Sequence, residues 1–228
     1  MFVPLHDDTP LRVIRFQFVT VAIIAANVVV YLLTGAFNSD QVMANVVSGF
    51  GVVPGDITGH AVAHGHAPIP APLTLFTYMF LHASWWHLIS NMLFLWVFAD
   101  NIEDAFGYVA FALFYVLCGL AGGFLHVMMA PDSNSPLIGA SGAVSGVIGA
   151  YILLYPKARV WILLFLRLPL RIGAFWVLGG WFLLQVASLI MAQGATAEVA
   201  WWAHIGGFVT GLAITFLLRS RLLIRIGD

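Results

Sequence analysis

An all-α integral membrane protein with six transmembrane helices is the fold this sequence predicts, and three observations predict it. Hydrophobic residues fill 61% of the 228 positions and charged residues only 8%, with a mean hydropathy of +0.97. That leaves too little polar material to cover a water-soluble globule. Six stretches approach the roughly 20 apolar residues a helix needs to cross the hydrocarbon core. Finally, the nine Lys and Arg residues cluster in three places that a six-span reading puts on one side of the bilayer.

Span one, Phe16 to Ala36, follows a 1–15 tail carrying Arg12 and Arg15. It is too long for a signal-peptide core and lacks a convincing small-residue cleavage pattern, so it reads as a retained helix. The 37–72 connection lies outside. Span two, Leu81 to Phe98, leads inward to Asp100, Glu103 and Asp104, acids that contribute little to orientation. Span three is Gly107 to Met129 and span four Leu137 to Tyr155. The apolar run Val160 to Leu166 is too short to cross and is hemmed by Lys157, Arg159, Arg167 and Arg171, which places it at the interface. Span five is Ile172 to Ala192, and span six, Val199 to Leu218, ends in a 219–228 tail with Arg219, Arg221 and Arg225. The chain reads as one membrane domain, 1–228, with both termini cytoplasmic. A net charge of -1 offers no basic surface for nucleic acid, and the lone Cys118 excludes an intramolecular disulfide.

With this topology, helix rise gives the depth of each polar residue. Counting about 20 residues back from Lys157 puts Ser141 roughly 6 Å below the outer end of span four. The same count from Arg219 puts His204 about 7 Å below the outer end of span six. His87 falls at a similar level on span two, with Asn91 one turn deeper. Trp85, Trp86, Trp201 and Trp202 mark the outer interface beside them.

Polar groups from three helices at one level suggest hydrolysis. A serine nucleophile needs a base for its proton, and the carbonyl it attacks needs donors for the developing oxyanion. Ser141 with His204 supplies the first pair. The Ser141 backbone N–H at a helix start, together with His87 and Asn91 four residues apart on one face, supplies the second. None of the ten acids lies in a span at the level of His204, which predicts a dyad rather than a triad. Taken singly, Ser141 also fits a packing serine bonded to its own helix. Gly139, Gly142, Gly146 and Gly149, with Gly207 and Gly211, form small faces on which two helices can close together. Transporters and channels of similar size bury charges at the bilayer centre; these spans hold none there.

Three motifs in order, His87-x-x-x-Asn91 preceded by His82, Gly139-Ala140-Ser141-Gly142-Ala143 with Gly146, and Ala203-His204-x-x-Gly207-x-x-x-Gly211, resemble the rhomboid intramembrane serine proteases over spans two to six. The resemblance implies a prokaryotic-type six-span bundle in an inner membrane, with its active site opening to the extracytoplasmic side. It also implies a serine endopeptidase that cuts transmembrane segments of membrane-protein substrates without metal or other cofactor. Ser141 is then the nucleophile and His204 the general base and acid; His87, Asn91 and the Ser141 N–H form the oxyanion site, with Gly139, Gly142, His82 and Gly207 supporting and Glu103 structural. A non-catalytic relative that escorts transmembrane helices is the alternative, but such relatives usually lack the serine or the histidine. Two departures stand out: Ser145 sits where many members stack an aromatic ring on the catalytic histidine, and the 37–72 loop lacks the family's Trp-Arg pair. That loop offers His60, His64 and His66 instead, with no acidic or cysteine ligand interleaved among them.

Overall fold

The structure, a computed structural model, describes residues 2–60, 68–191 and 201–227. The chain opens with strand β1 (Phe2–Asp7), then α1 (Phe18–Thr34), α2 (Asp40–Phe50), α3 (Pro54–Thr58) and a short α4 (Thr74–Thr77) between 3-10 turns. Helices α5 (Trp85–Phe106), α6 (Tyr108–Met129) and α7 (Ser141–Leu154) follow, then strands β2 (Arg159–Leu164) and β3 (Leu168–Gly173), and finally α8 (Ala174–Met191) and α9 (Trp201–Ile226). By length and composition α6, α8 and α9 are long and apolar enough to cross a membrane, while α1 and α7 are shorter apolar helices. The expected spans fall on α1, α5, α6, α7, α8 and α9.

An all-α fold is corrected by a three-stranded antiparallel sheet of order β1-β2-β3. Val160 to Leu166, expected at the interface as a short apolar run, is instead the first strand and turn of a hairpin over residues 159–173, which also takes in the first two residues expected in span five. Its inward-facing Val160 and Ile162 are buried. Its turn is closed by the Arg167 N–H on the Leu164 carbonyl at 3.1 Å. Phe165 and Leu166 both adopt left-handed backbone there, φ 51° and 58°, a conformation that normally calls for Gly or Asn. The amino-terminal segment pairs as β1 from Phe2↔Leu164 to Asp7↔Val160, with a register irregularity between Pro4 and His6. It is fastened at its end: the Asp8 carboxylate accepts from Arg171 Nη2 at 2.6 Å and from the Arg159 N–H at 2.9 Å, while the Tyr151 hydroxyl donates to Asp7. Burial raises the Asp7 carboxyl above its ordinary pKa, and the Tyr151 and Thr9 hydrogen bonds pull it partly back.

Glu103 and Asp104, in the last turn of α5, are structural. Glu103 is fully buried and takes the Val19 N–H (2.9 Å), the Thr20 N–H (2.7 Å) and the Thr20 hydroxyl (2.7 Å). Those amides are among the first of α1, which have no partner within their own helix, so a carboxylate from α5 caps α1. Asp104 does the same for the N–H groups of Arg12, Val13 and Ile14. The segment before α1 is thereby tied to α5.

The centre of the molecule is α6, α7 and α9 in close contact. A side chain on Gly207 would begin 1.8 Å from the Gly142 carbonyl oxygen, and one on Gly211 2.2 Å from that of Gly146. These are backbone atoms that cannot swing aside, so α7 and α9 touch main chain to main chain, as small-residue faces allow. In contrast, α8 buries only Ala174, Val177, Leu178 and Gln185 among its side chains. The described residues of the 37–72 connection are tied to the segment that leads into α7. Val52 and Leu137 exchange backbone hydrogen bonds of 2.8 and 3.0 Å, and the Gly55 N–H reaches the Ser133 carbonyl.

Candidate active site

Each candidate side chain sits at a helix start or on a helix face fixed by its own sequence. Ser84 caps α5, its hydroxyl accepting from the His87 N–H at 3.2 Å, which sets the first turn that carries His87. Gly139, with φ +118°, turns the chain into α7 in a conformation side chains rarely adopt, and its N–H is held by the Tyr78 carbonyl at 2.9 Å. Ser141 is the first residue of α7, so its N–H belongs to the orphan donors of that helix.

The glycine contact between α7 and α9 brings their amino-terminal ends together. Ser141 Oγ lies 2.8 Å from His204 Nε2, a full-strength hydrogen-bond distance. The other ring nitrogen, Nδ1, lies 3.1 Å from Gln185 Oε1 on α8. Trp181 and Trp201 flank the imidazole with ring centroids 6.2 and 6.0 Å away. Ser145 is fully buried, and its hydroxyl donates to the Ser141 carbonyl at 2.6 Å. It therefore bonds back to its own helix and takes no part in holding His204.

His87 faces the same space. Its Nε2 is 2.6 Å, and Ser141 Oγ 3.8 Å, from the point where a Gly139 side chain would begin, so Gly139 must be bare for the imidazole to approach. His87 Nδ1 stands 3.5 Å from the Ala83 N–H, an acceptor geometry that leaves Nε2 as the donor of the neutral ring. His82 is 1% exposed and meets the His87 ring edge-on, centroids 4.9 Å apart. Asn91 is buried, and its Nδ2 donates to the His87 carbonyl at 2.9 Å. One of its two amide hydrogens is thus committed to its own helix.

Gln185 escaped the sequence reading. A search for a third acid passes over an amide, although a single glutamine in an otherwise greasy helix one turn after Trp181 was a signal available to be read. Tyr78 escaped it too: buried, it donates to the Gly119 carbonyl at 2.7 Å while its own carbonyl holds Gly139. Of the loop histidines, His60 pairs with Asp132 at 2.7 Å on the exposed surface; His64 and His66 lie outside the described residues. A cavity of about 200 Å³ lined by Leu5, His6, Asp7, Gln17, Trp96, Val97 and Asp100 is at the opposite end of α5 from His87.

Comparison with known proteins gives the same picture of kinship. The Rhomboid domain family model matches residues 71–221, which includes every candidate site residue. The chain is 31% identical over 144 residues to "RHOMBOID-like protein 6, mitochondrial" of Arabidopsis thaliana, covering 63% of this chain and 43% of that protein. It is 32% identical over 142 residues to "Rhomboid protein 1, mitochondrial" of Saccharomyces cerevisiae, covering 58% and 38%. It is 30% identical over 138 residues to "Rhomboid-like protease 3" of Toxoplasma gondii, covering 60% and 48%. The matched region spans less than half the length of each of these curated relatives.

Proposed function

The chain belongs to the rhomboid family, and from that premise we propose that it is an intramembrane serine endopeptidase acting through a Ser141–His204 dyad on transmembrane segments of other proteins. The observation that carries the reading is the 2.8 Å contact between Ser141 Oγ and His204 Nε2. His204 takes the hydroxyl proton as Ser141 Oγ attacks the scissile carbonyl. The oxyanion that forms is met by the Ser141 N–H and by His87 Nε2–H, with the remaining Asn91 amide hydrogen one turn away. His204 then passes its proton to the leaving amine as the C–N bond breaks, leaving an acyl group on Ser141. Water, deprotonated by the same imidazole, attacks that ester and releases the second product.

The same reading has six spans, α1, α5, α6, α7, α8 and α9, with both termini and all nine basic residues on the cytoplasmic side of a prokaryotic-type inner membrane. Ser141 and His204 then lie in the outer half of the bilayer. Family membership supports membrane-embedded substrates as the class acted on. A peptide bond within an intact helix is shielded by its own backbone hydrogen bonds, so substrates that unwind at small or helix-breaking residues near the outer face are the expected targets.

Co-expression with a panel of tagged single-span reporters tests this. Wild type is expected to release a reporter ectodomain, and Ser141→Ala is expected to release none. Release that persists in Ser141→Ala removes the nucleophile assignment. A varied panel left intact by both forms points to the escort function instead.

A further inference from the structure

Building on the dyad reading above, we propose that Gln185 is a positioning residue. Its side-chain carbonyl fixes His204 in the tautomer that can act as a base, so that the seating of α8 decides whether the dyad is competent. The argument begins with the two ring contacts. His204 Nδ1 is 3.1 Å from Gln185 Oε1 and Nε2 is 2.8 Å from Ser141 Oγ. An amide oxygen only accepts, so Nδ1 carries the proton of the neutral ring and Nε2 presents its lone pair to the serine hydroxyl. In the other tautomer a lone pair would face the carbonyl lone pairs and an N–H would face Oγ, which leaves no base for Ser141. When Nε2 takes the serine proton, the ring becomes a cation, and the bond to Oε1 strengthens as a charge-assisted one.

Gln185 is placed for little else. It is buried, and His204 is its side chain's hydrogen-bond partner among the described residues; a buried amide without that bond is costly. Beyond Leu178 it is the only buried side chain of α8, whose Leu183, Leu184, Ile190 and Met191 are all more than 60% exposed. The outer half of α8 is thus held to α9 by this bond together with the Phe182–Phe208 ring stack, centroids 3.8 Å apart. Trp181, one turn before Gln185, supplies the aromatic wall of the imidazole from the same helix. Both supports of His204 that lie outside its own helix and Ser141 therefore ride on the lightly packed α8. A shift of α8 by about 1 Å takes the Gln185 contact out of hydrogen-bond range.

The test uses full-length protein in detergent or lipid vesicles with a cleavable single-span reporter, comparing wild type, Gln185→Leu and Gln185→Glu. Gln185→Leu keeps the volume and loses the acceptor; kcat is expected to fall about tenfold or more with KM unchanged. Gln185→Glu restores the acceptor and is expected to keep kcat within about threefold of wild type. Nitrogen-15 NMR of histidine-labelled protein, with His204 assigned by its absence in His204→Ala, is expected to show the proton on Nδ1 in wild type and a mixture of tautomers in Gln185→Leu. A wild-type proton on Nε2, a Gln185→Leu variant with wild-type kcat, a loss of kcat with the tautomer unchanged, or no recovery in Gln185→Glu overturns the proposal. Failure of the dyad reading is seen separately, as wild-type cleavage that is absent or survives Ser141→Ala, and the NMR arm reads the tautomer in either case.

Discussion

Replacing His204 by alanine is expected to lower the cleavage rate by about 10⁴- to 10⁶-fold, and the Ser141→Ala/His204→Ala double variant is expected to lose no more than either single one. The reason is that nucleophile and base act as a unit. The serine hydroxyl is a poor nucleophile until its proton has a destination, and the 2.8 Å contact makes His204 Nε2 that destination. With either partner gone, the other has no step left to perform, and any residual rate comes from substrate binding and the oxyanion donors alone. Initial rates with purified variants and one defined reporter measure this. Losses that multiply in the double variant would mean that the two residues act in separate steps, and the dyad would have to be abandoned.

Gly207→Val is expected to have the second large effect, this time on the fold. A side chain there begins 1.8 Å from the Gly142 carbonyl oxygen, which is backbone of the helix that carries Ser141. Relief requires α7 and α9 to separate, and separation pulls Ser141 from His204. Overpacking of a tight core costs up to about 3 kcal/mol where side chains can adjust; with backbone on both sides the loss should be at least that. The thermal midpoint in detergent should fall and cleavage should disappear. Gly179→Ala on α8 is the matched control, since an added methyl there meets nothing within 4 Å. Its midpoint and rate should equal or exceed those of wild type. A stable, active Gly207→Val would show that the α7–α9 contact is not what assembles the site.

Much of the site was legible in the sequence because the membrane makes polar residues conspicuous. A hydroxyl and an imidazole in apolar helices demand partners, and the expectation that the basic residues share one side gave a common level at which to look for them. The glycines of α7 and α9 were legible for a related reason: spaced four residues apart, they leave a face on which two helices can close. Gln185 was hidden because an uncharged amide does not register in a search for an acid, although the site needed only an acceptor for one N–H. The aromatic support expected at Ser145 comes from Trp181 on a different helix, a substitution that no local pattern reports. The sheet was hidden for a backbone reason. Phe165 and Leu166 hold left-handed conformations without the Gly or Asn that would announce a turn, and the strand that completes the sheet comes from the far end of the chain. The resemblance implied a structural Glu103, but what Glu103 and Asp104 hold was hidden because the amides they cap, on Arg12 to Ile14 and on Val19 and Thr20, are about 80 to 90 residues away.

Peptide mapping by mass spectrometry after treatment with a fluorophosphonate tests the dyad most directly, because phosphonylation requires an activated serine and no knowledge of the natural substrate. The expected result is an adduct on Ser141 in the wild-type protein, with labelling reduced to background in His204→Ala while that variant keeps its thermal midpoint. An adduct confined to another serine, or labelling of Ser141 at the same rate with and without His204, would contradict the mechanism.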